Sequence, residues 1–153
     1  MKEIMTIYCD GGCRDNGRHN SVGGYGIVKQ YAGEVEELCG YEFDTTNNRM
    51  ELTACIEALK SVYDKRIRIQ IITDSNYVVM GLSKWRFAWA ENDWRTSSGK
   101  EVKNKDLWIE LISLVREFDA VGIEHCYGHS ITEGNNRADE LANQAMDHAM
   151  LVI

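Results

Sequence analysis

Residues 45–52 read TTNNRMEL and join a polar turn to the start of a predicted helix. The apolar residues that follow, at 52, 55, 56, 59, 62 and 63, recur at helical spacing and predict one buried stripe. Glu51 lies next to that stripe, near the positive end of the helix dipole, where a carboxylate is favoured. With Asn48 as the N-cap, Glu51 would complete a capping box. The stretch therefore predicts a helix start, and the rest of the chain has to show whether Glu51 does more.

The composition is that of an ordinary globular protein and predicts one domain covering residues 1–153. The chain is 44% hydrophobic and 27% charged, with a formal net charge of −7. The negative charge argues against a non-specific nucleic-acid coat protein, although it leaves room for a local basic surface. Five cysteines without a CxxC pair, and no signal-like or membrane-spanning segment, predict a reduced cytoplasmic protein that does not insert into a membrane. We also expect the protein to be a monomer.

The remaining chain predicts a mixed α/β domain with five strands. The predicted strands cover residues 4–9, 23–31, 35–43, 67–73 and 121–127. The predicted helices cover residues 47–63, 75–82, 106–118 and 134–150. The first three strands form an antiparallel meander. Because a helix then separates the third and fourth strands, the fourth strand is expected to lie parallel to the first.

Four carboxylates fall where such a fold would gather them. Asp10 follows the predicted end of the first strand and Asp74 follows the fourth, so parallel strands would present both at one edge of the sheet. Glu51 projects from the crossover helix, and Asp139 lies on the last helix. Taken singly, these residues also fit a turn residue, helix caps and a solvated helix charge. If they converge, their repulsion calls for cations, and hard oxygen ligands suit Mg²⁺ or Mn²⁺.

Six segments, in order along nearly the whole chain, resemble type I ribonuclease H, the metal-dependent enzyme family that cuts the RNA strand of an RNA–DNA hybrid. The segments are IYCDGGC, GGYGIV, TTNNRMEL, ITDSNYV, WRTSSGKEVKNKDLW and GHSITEGNNRADELA. The resemblance implies a ribonuclease H-like fold, with a five-stranded mixed sheet, its first three strands antiparallel, and helices on both faces.

The resemblance also implies the chemistry. It assigns Asp10, Glu51, Asp74 and Asp139 as ligands of two Mg²⁺ ions, with Mn²⁺ as a possible substitute. Two-metal hydrolysis of the RNA strand would leave 5′-phosphate and 3′-hydroxyl ends. His129 matches a loop histidine of the family that handles protons or assists product departure, a role that suits its near-neutral reference pKa.

Seven further residues match or substitute for positions where the family contacts its hybrid substrate. They are Asn16, Thr46, Asn47, Asn48, Asn76, Trp85 and Asn104. Asn16, Asn47, Asn48 and Asn76 correspond to minor-groove contacts. An amide there can both donate a hydrogen bond to a 2′-hydroxyl and accept one from it. Thr46 and Asn104 correspond to a phosphate grip on the DNA strand, and Trp85 to its channel. Trp108 matches a nearby position, but its helical spacing equally fits the core.

Residues 84–105 resemble the basic protrusion that the family uses to bind hybrids. The segment has six basic and three acidic side chains together with four aromatic ones, which suits a surface that follows phosphates. Two of the acidic side chains, Glu91 and Asp93, stand where bacterial relatives are often lysine-rich. We therefore expect hybrid binding that is weaker than in those relatives but still sensitive to salt.

The sequence leaves two rival interpretations. The first is a zinc site, whose candidate ligands are Cys9, Cys13, His125, Cys126 and His129. The absence of a CxxC clip, and the opposite directions of neighbouring strand side chains, argue against it. The second is a module that binds hybrids without cutting them, or a relative that acts on DNA, such as an integrase or junction resolvase. The presence of all four carboxylates argues against a module that only binds. The amides of TTNNRMEL favour a hybrid-specific nuclease over a relative that acts on DNA.

Overall fold

In the computed structural model of the protein, which describes residues 3–127 and 133–152, five strands form one sheet in the order β3-β2-β1-β4-β5. The strands are β1 (Ile4–Arg14), β2 (Val22–Tyr31), β3 (Glu34–Phe43), β4 (Arg68–Thr73) and β5 (Val121–His125). The first three pair antiparallel, whereas β4 runs parallel to both β1 and β5. The predicted mixed sheet, with its crossover to a parallel fourth strand, is confirmed.

Helices cover both faces of the sheet, as predicted. They are α1 (Asn47–Lys60), α2 (Asn76–Met80), α3 (Arg86–Glu91), α4 (Lys105–Glu117) and α5 (Glu133–Leu151), and a π-helical turn (Gly81–Trp85) connects α2 to α3. Neighbouring glycines of β2 show the two faces. A Cβ at Gly23 would meet the side chain of Met50 on α1, whereas one at Gly24 would meet the backbone of Ala142 on α5. Among the described helices, none is long and apolar enough to cross a membrane.

Strand β1 is longer than predicted, so Asp10 lies within the strand and not after its end. The Asp-Gly-Gly sequence is not a turn, because Gly11 and Gly12 continue the antiparallel pairing with β2. The parallel pairing with β4, however, ends at Cys9. Asp10 is therefore the first β1 residue beyond its parallel partner, and it still lies at the sheet edge that the sequence predicted. The turn interpretation of this segment was wrong because a glycine pair can also continue a strand where another element packs closely.

Helix α1 begins differently from the predicted capping box. Its N-cap is Thr46, whose side-chain oxygen accepts a hydrogen bond from the backbone N–H of Arg49 at 3.2 Å. Asn48 is therefore not the cap, and it lies exposed in the first turn of the helix. Since Glu51 does not reach back to a cap, its carboxylate is available for other contacts. The last helix, α5, continues to Leu151, one residue beyond its predicted end.

The core alternative for Trp108 is confirmed. Its side chain on α4 is completely buried, and its ring centroid lies 5.2 Å from that of Trp89. The indole Nε1–H donates to the hydroxyl of Tyr77 at 2.9 Å, and the same hydroxyl accepts from Asn104 Nδ2 at 3.1 Å. One hydroxyl on α2 thus satisfies two donors from the α4 region.

We expect Tyr77→Phe to destabilise the protein by about 1–3 kcal/mol, because it leaves two partly buried donors without their acceptor. Thermal unfolding should show a loss of about 2–4 °C in Tm for each kcal/mol in a chain of this size. The matched control is Tyr63→Phe, which removes a hydroxyl from a side chain that is 90% exposed. Equal Tm values for the two variants would contradict this role of the Tyr77 hydroxyl.

Candidate functional site

Three carboxylates from three separate elements meet at the carboxyl edge of the parallel strands. Asp10 comes from β1, Glu51 from α1, and Asp74 directly follows β4. One oxygen from each lies within 4.8 Å of the others, and Asp10 and Glu51 are buried while Asp74 is exposed. The structure thus brings together three of the four carboxylates that the sequence singled out.

The fourth carboxylate, Asp139, lines the same cavity from α5. The cavity measures about 380 Å³, and its wall includes the other three carboxylates and Asn47. Asp139 is exposed and does not belong to the compact group of three, but its negative charge helps to raise the pKa of Asp10. Asp139 therefore stands opposite α1, on the wall that the last helix contributes.

Glu51 is held in place by two contacts from neighbouring strands. Its Oε1 accepts from the backbone N–H of Gly11 at 2.9 Å, and its Oε2 accepts from the Thr73 hydroxyl at 3.5 Å. Burial raises the pKa of Glu51 well above its usual range, and the nearby charge of Asp74 adds to the effect. The hydrogen bonds from Gly11 and Thr73 lower the pKa of Glu51 and so oppose this shift. They orient a carboxylate whose charged form is disfavoured by burial and by Asp74.

The electrostatics of the cluster favour a divalent cation. Burial is the largest cause that raises the pKa of Asp10 to about 9, followed by the charges of Glu51, Asp74 and Asp139. A cation among these oxygens would remove that repulsion, and an all-carboxylate donor set suits Mg²⁺ or Mn²⁺ better than Zn²⁺. Within residues 3–127 and 133–152, no other group of three His, Cys, Asp or Glu residues meets the geometry for holding a metal. The zinc interpretation therefore has no support in the described part of the chain.

The pKa shift of Asp10 predicts how stability depends on pH when no divalent cation is bound. The folded chain keeps a proton on Asp10 up to about pH 9, whereas an unfolded aspartate releases it near its ordinary value of 3.8. The folded state therefore binds more protons across this window, and its stability falls as the pH rises. In EDTA, we expect the Tm advantage of Asp10→Asn over the wild type to grow from about pH 5 to about pH 9, and Mg²⁺ to reduce it by stabilising the wild type. Parallel Tm curves for the two proteins would contradict this.

The amides of the first turn of α1 lie beside the carboxylates. Asn47 and Asn48 are exposed, and Asn47 also lines the carboxylate cavity. Asn16 lies in the loop after β1, where its side-chain oxygen accepts from the backbone N–H of Asn47 at 2.8 Å. Asn76 is exposed at the start of α2, two residues after Asp74. Asn47 thus lies on the wall of the site, the other three amides are close to it or to Asp74 in the chain or through a hydrogen bond, and His129 lies outside the described residues.

Arg49, which the sequence did not single out, contacts both Thr46 and Asn104. Its backbone N–H donates to the Thr46 hydroxyl. Arg49 donates to the Asn104 side-chain oxygen at 3.3 Å and forms a two-pronged ion pair with Asp106, the shorter contact being 2.9 Å. The Asn104 amide keeps a second Nδ2 hydrogen, and the Thr46 hydroxyl keeps its own hydrogen for an outside acceptor. Arg49 stands inside TTNNRMEL, but only the fold shows that it ties α1 to α4.

Trp85 and the 84–105 segment combine exposed and structural aromatic residues. Trp85 is 38% exposed, at the end of the π-helical turn, with its ring centroid 6.1 Å from that of Tyr77. Trp89 and Trp94 are partly buried against the core, whereas Phe87 is 56% exposed. Two of the four aromatic side chains in this segment therefore pack against the core, and the other two are exposed at the surface.

Comparisons with known proteins agree on one family. A family profile described as RNase H matches residues 2–147. A ribonuclease H from Hydrogenovibrio crunogenus is 46% identical over 147 residues, which cover 96% of this chain and 97% of that protein. The crystal structure of LC9-RNase H1, a type 1 RNase H with the type 2 active-site motif, superposes with a TM-score of 0.84 at 32% identity, over 97% of this chain and 74% of that one. LC11-RNase H1 in complex with RNA/DNA hybrid superposes at 0.71 with 26% identity, over 95% of this chain and 99% of that one.

Proposed function

The chain belongs to the ribonuclease H family and is therefore an endonuclease of the hydrolase class, and we propose that it hydrolyses the RNA strand of RNA–DNA hybrids with two divalent metal ions. The observation that carries the proposal is the convergence of Asp10, Glu51 and Asp74 within 4.8 Å, beside a border of exposed amides. A similar protein, LC11-RNase H1, has been solved with an RNA/DNA hybrid, which supports the same substrate here.

The carboxylates would hold the metal ions, for which Mg²⁺ is the proposed physiological choice and Mn²⁺ a substitute. Asp10, Glu51 and Asp74 supply the compact donor set, and Asp139 completes it from α5. Divalent cations held there would supply an activated water and stabilise the charge on the leaving oxygen. The Gly11 N–H and the Thr73 hydroxyl orient Glu51, so that its carboxylate keeps its direction while the substrate enters. The products would carry 5′-phosphate and 3′-hydroxyl ends.

The amides would distinguish the RNA strand from DNA. Asn47 lines the carboxylate cavity, Asn16 accepts from its backbone N–H, and Asn48 and Asn76 are exposed close to Asn47 and Asp74 in the chain. Each amide side chain can both donate and accept a hydrogen bond. A 2′-hydroxyl in the minor groove also donates and accepts, so an amide can pair with it in a way that a deoxyribose does not permit. The hydrogen bond from Asn47 to Asn16 would keep two of these amides at a constant spacing.

The DNA strand would be held on the α4 side of the site. The Thr46 hydroxyl and the second Nδ2 hydrogen of Asn104 would donate to one phosphate, and Trp85 would line the adjacent channel. Residues 84–105 would add the basic surface of this region within a single ribonuclease H domain that covers residues 1–153. His129 would handle a proton or assist product departure.

One assay separates this function from its rivals. Labelled RNA–DNA hybrid, RNA duplex and DNA duplex are incubated with the protein in Mg²⁺, in Mn²⁺ and in EDTA, and the product ends are mapped enzymatically. We expect cleavage of the hybrid alone, only with a divalent ion, leaving 5′-phosphate and 3′-hydroxyl ends. Binding of the hybrid without cleavage in Mg²⁺ and Mn²⁺ would favour a binding module instead. Cleavage of the DNA duplex would favour a relative that acts on DNA.

A further inference from the structure

Arg14 is a cation on the wall of an otherwise acidic cavity. It is the last residue of β1, and it lines the cavity together with Asp10, Glu51, Asp74 and Asp139. Among the described residues of that wall, it is the only arginine or lysine. The chain as a whole has a net charge of −7, so a cation beside the site lowers the repulsion that a polyanionic substrate meets there.

The guanidinium of Arg14 is only partly used by the protein. Its Nη2 contacts Asp147 at 2.8 Å and Asn143 Oδ1 at 3.5 Å, both on α5. Its Nη1 faces the sulfur of Met150 at 3.2 Å, and a thioether is a weak acceptor. A guanidinium offers five N–H donors in a planar fork, so several of them remain for a stronger acceptor.

The ion pair that holds Arg14 is of a kind that a phosphate can replace. The Arg14 side chain is 36% exposed and that of Asp147 is 68% exposed. Exposed ion pairs contribute little because water and salt screen both charges. Asp147 accepts through one close contact, whereas a phosphate can accept two parallel N–H bonds from a guanidinium. Arg14 can therefore exchange Asp147 for a phosphate with a gain of one charge-assisted hydrogen bond.

We propose that Arg14 binds a backbone phosphate of the RNA strand beside the cleavage site, and that Asp147 holds its guanidinium at the cavity wall in the free protein. The proposal rests on the function proposed above. Arg14 lies on the α5 side of the carboxylates, whereas Thr46 and Asn104, the proposed DNA-strand contacts, lie on the α1 and α4 side. Arg14 is thus a substrate-positioning residue whose contact is with the strand that is cut.

The test compares Arg14→Gln with Asp147→Asn, which breaks the same ion pair from the other end. Hybrid binding is titrated by fluorescence anisotropy at several salt concentrations, in an Asp10→Asn background that is not expected to cleave. We expect Arg14→Gln to raise Kd by about tenfold and to reduce the salt slope by about one. Asp147→Asn should bind as tightly as the parent or more tightly, because it frees the cation. Arg14→Lys should recover the slope but not all of the affinity, since an ammonium lacks the planar fork.

A substrate series identifies the strand. A single uncharged methylphosphonate linkage is placed in turn at each phosphate around the cleavage position, first in the RNA strand and then in the DNA strand. At one RNA-strand position, we expect the uncharged linkage to weaken hybrid binding by the Asp10→Asn protein. The same linkage should not weaken binding further when Arg14→Gln is also present. Coupling to a DNA-strand position instead would overturn the proposal.

A purely structural role for Arg14 has a different signature. If the ion pair only ties β1 to α5, Arg14→Gln and Asp147→Asn would lower Tm alike and leave the salt slope unchanged, and this result would overturn the proposal. Cleavage kinetics with Asp10 intact distinguish a failure of the proposed function from a failure of the proposed role of Arg14. A wild type that does not cleave hybrid contradicts the proposed function, whereas a wild type that cleaves, with an Arg14→Gln variant of unchanged KM and Kd, contradicts the role of Arg14 alone.

Discussion

Asp10→Asn is expected to lower the rate of hybrid cleavage by about a thousandfold or more while leaving hybrid binding in place. The substitution keeps the size of the side chain but removes one of the three carboxylates that would hold the metal ions. Stabilisation of transition-state charge by bound metal contributes several kcal/mol, and each 1.36 kcal/mol is a factor of ten in rate. Single-turnover cleavage of labelled hybrid, with protein in excess, measures the chemical step separately from product release.

The same variant should be more stable than the wild type when no divalent ion is present, because it removes a carboxyl group that the folded state must keep protonated at neutral pH while the unfolded chain releases the proton. Burial and three neighbouring carboxylates raise the pKa of Asp10 to about 9, so ionising it at neutral pH opposes folding. Lower activity with a higher Tm in EDTA separates a functional carboxylate from a structural one. The control is Asp119→Asn, an exposed aspartate just before β5, at the opposite edge of the parallel strands. Equal effects of the two substitutions on cleavage would contradict the assignment.

Gly11→Ala is expected to damage both the fold and the site. A Cβ at Gly11 would lie 2.4 Å from the carbonyl carbon of Met50 and 2.5 Å from the backbone nitrogen of Glu51, and backbone atoms have no rotamer by which to move away. The alternative is a shift of α1 away from β1. Such overpacking costs about 3 kcal/mol, which corresponds to a fall in Tm of about 6–12 °C. Because Gly11 also donates to Glu51, displacing α1 would misplace that carboxylate, and a misplacement of about 1 Å costs about a hundredfold in rate.

The neighbouring glycine provides a matched control. A Cβ at Gly12 would find its nearest neighbour, the terminal methyl of Met146, at 3.5 Å, which is an ordinary van der Waals distance. Gly12→Ala should therefore change both Tm and cleavage rate only slightly. Thermal unfolding and cleavage assays on the two variants decide the question, and equal damage from both substitutions would mean that the close approach of β1 and α1 is not the cause.

The general fold was accessible from local patterns. Alternating and helical spacings predict the five strands and the main helices, and a helix between two strands implies a parallel crossover. The segments of the 84–105 region were harder to interpret, because their aromatic residues serve two purposes. Trp89 and Trp94 pack against the core, whereas Phe87 and, to a smaller extent, Trp85 are exposed. No local pattern separates these two groups, since the separation depends on Trp108, which α4 brings from later in the chain.

The sequence by itself determined the five strands, the four main helices and their order, and which of them lie at or next to the four carboxylates; it did not predict α3 or the π-helical turn before it. These properties depend on periodicity and on turn chemistry, which act over a few residues. Only the tertiary structure decided that Asp10 lies within a strand, that Thr46 rather than Asn48 caps α1, and that Gly11 orients Glu51, which is 40 positions away in the chain. Such contacts depend on how closely two packed elements approach each other. That distance is set by side chains far apart in the chain, and the spacing of residues within one segment does not contain it.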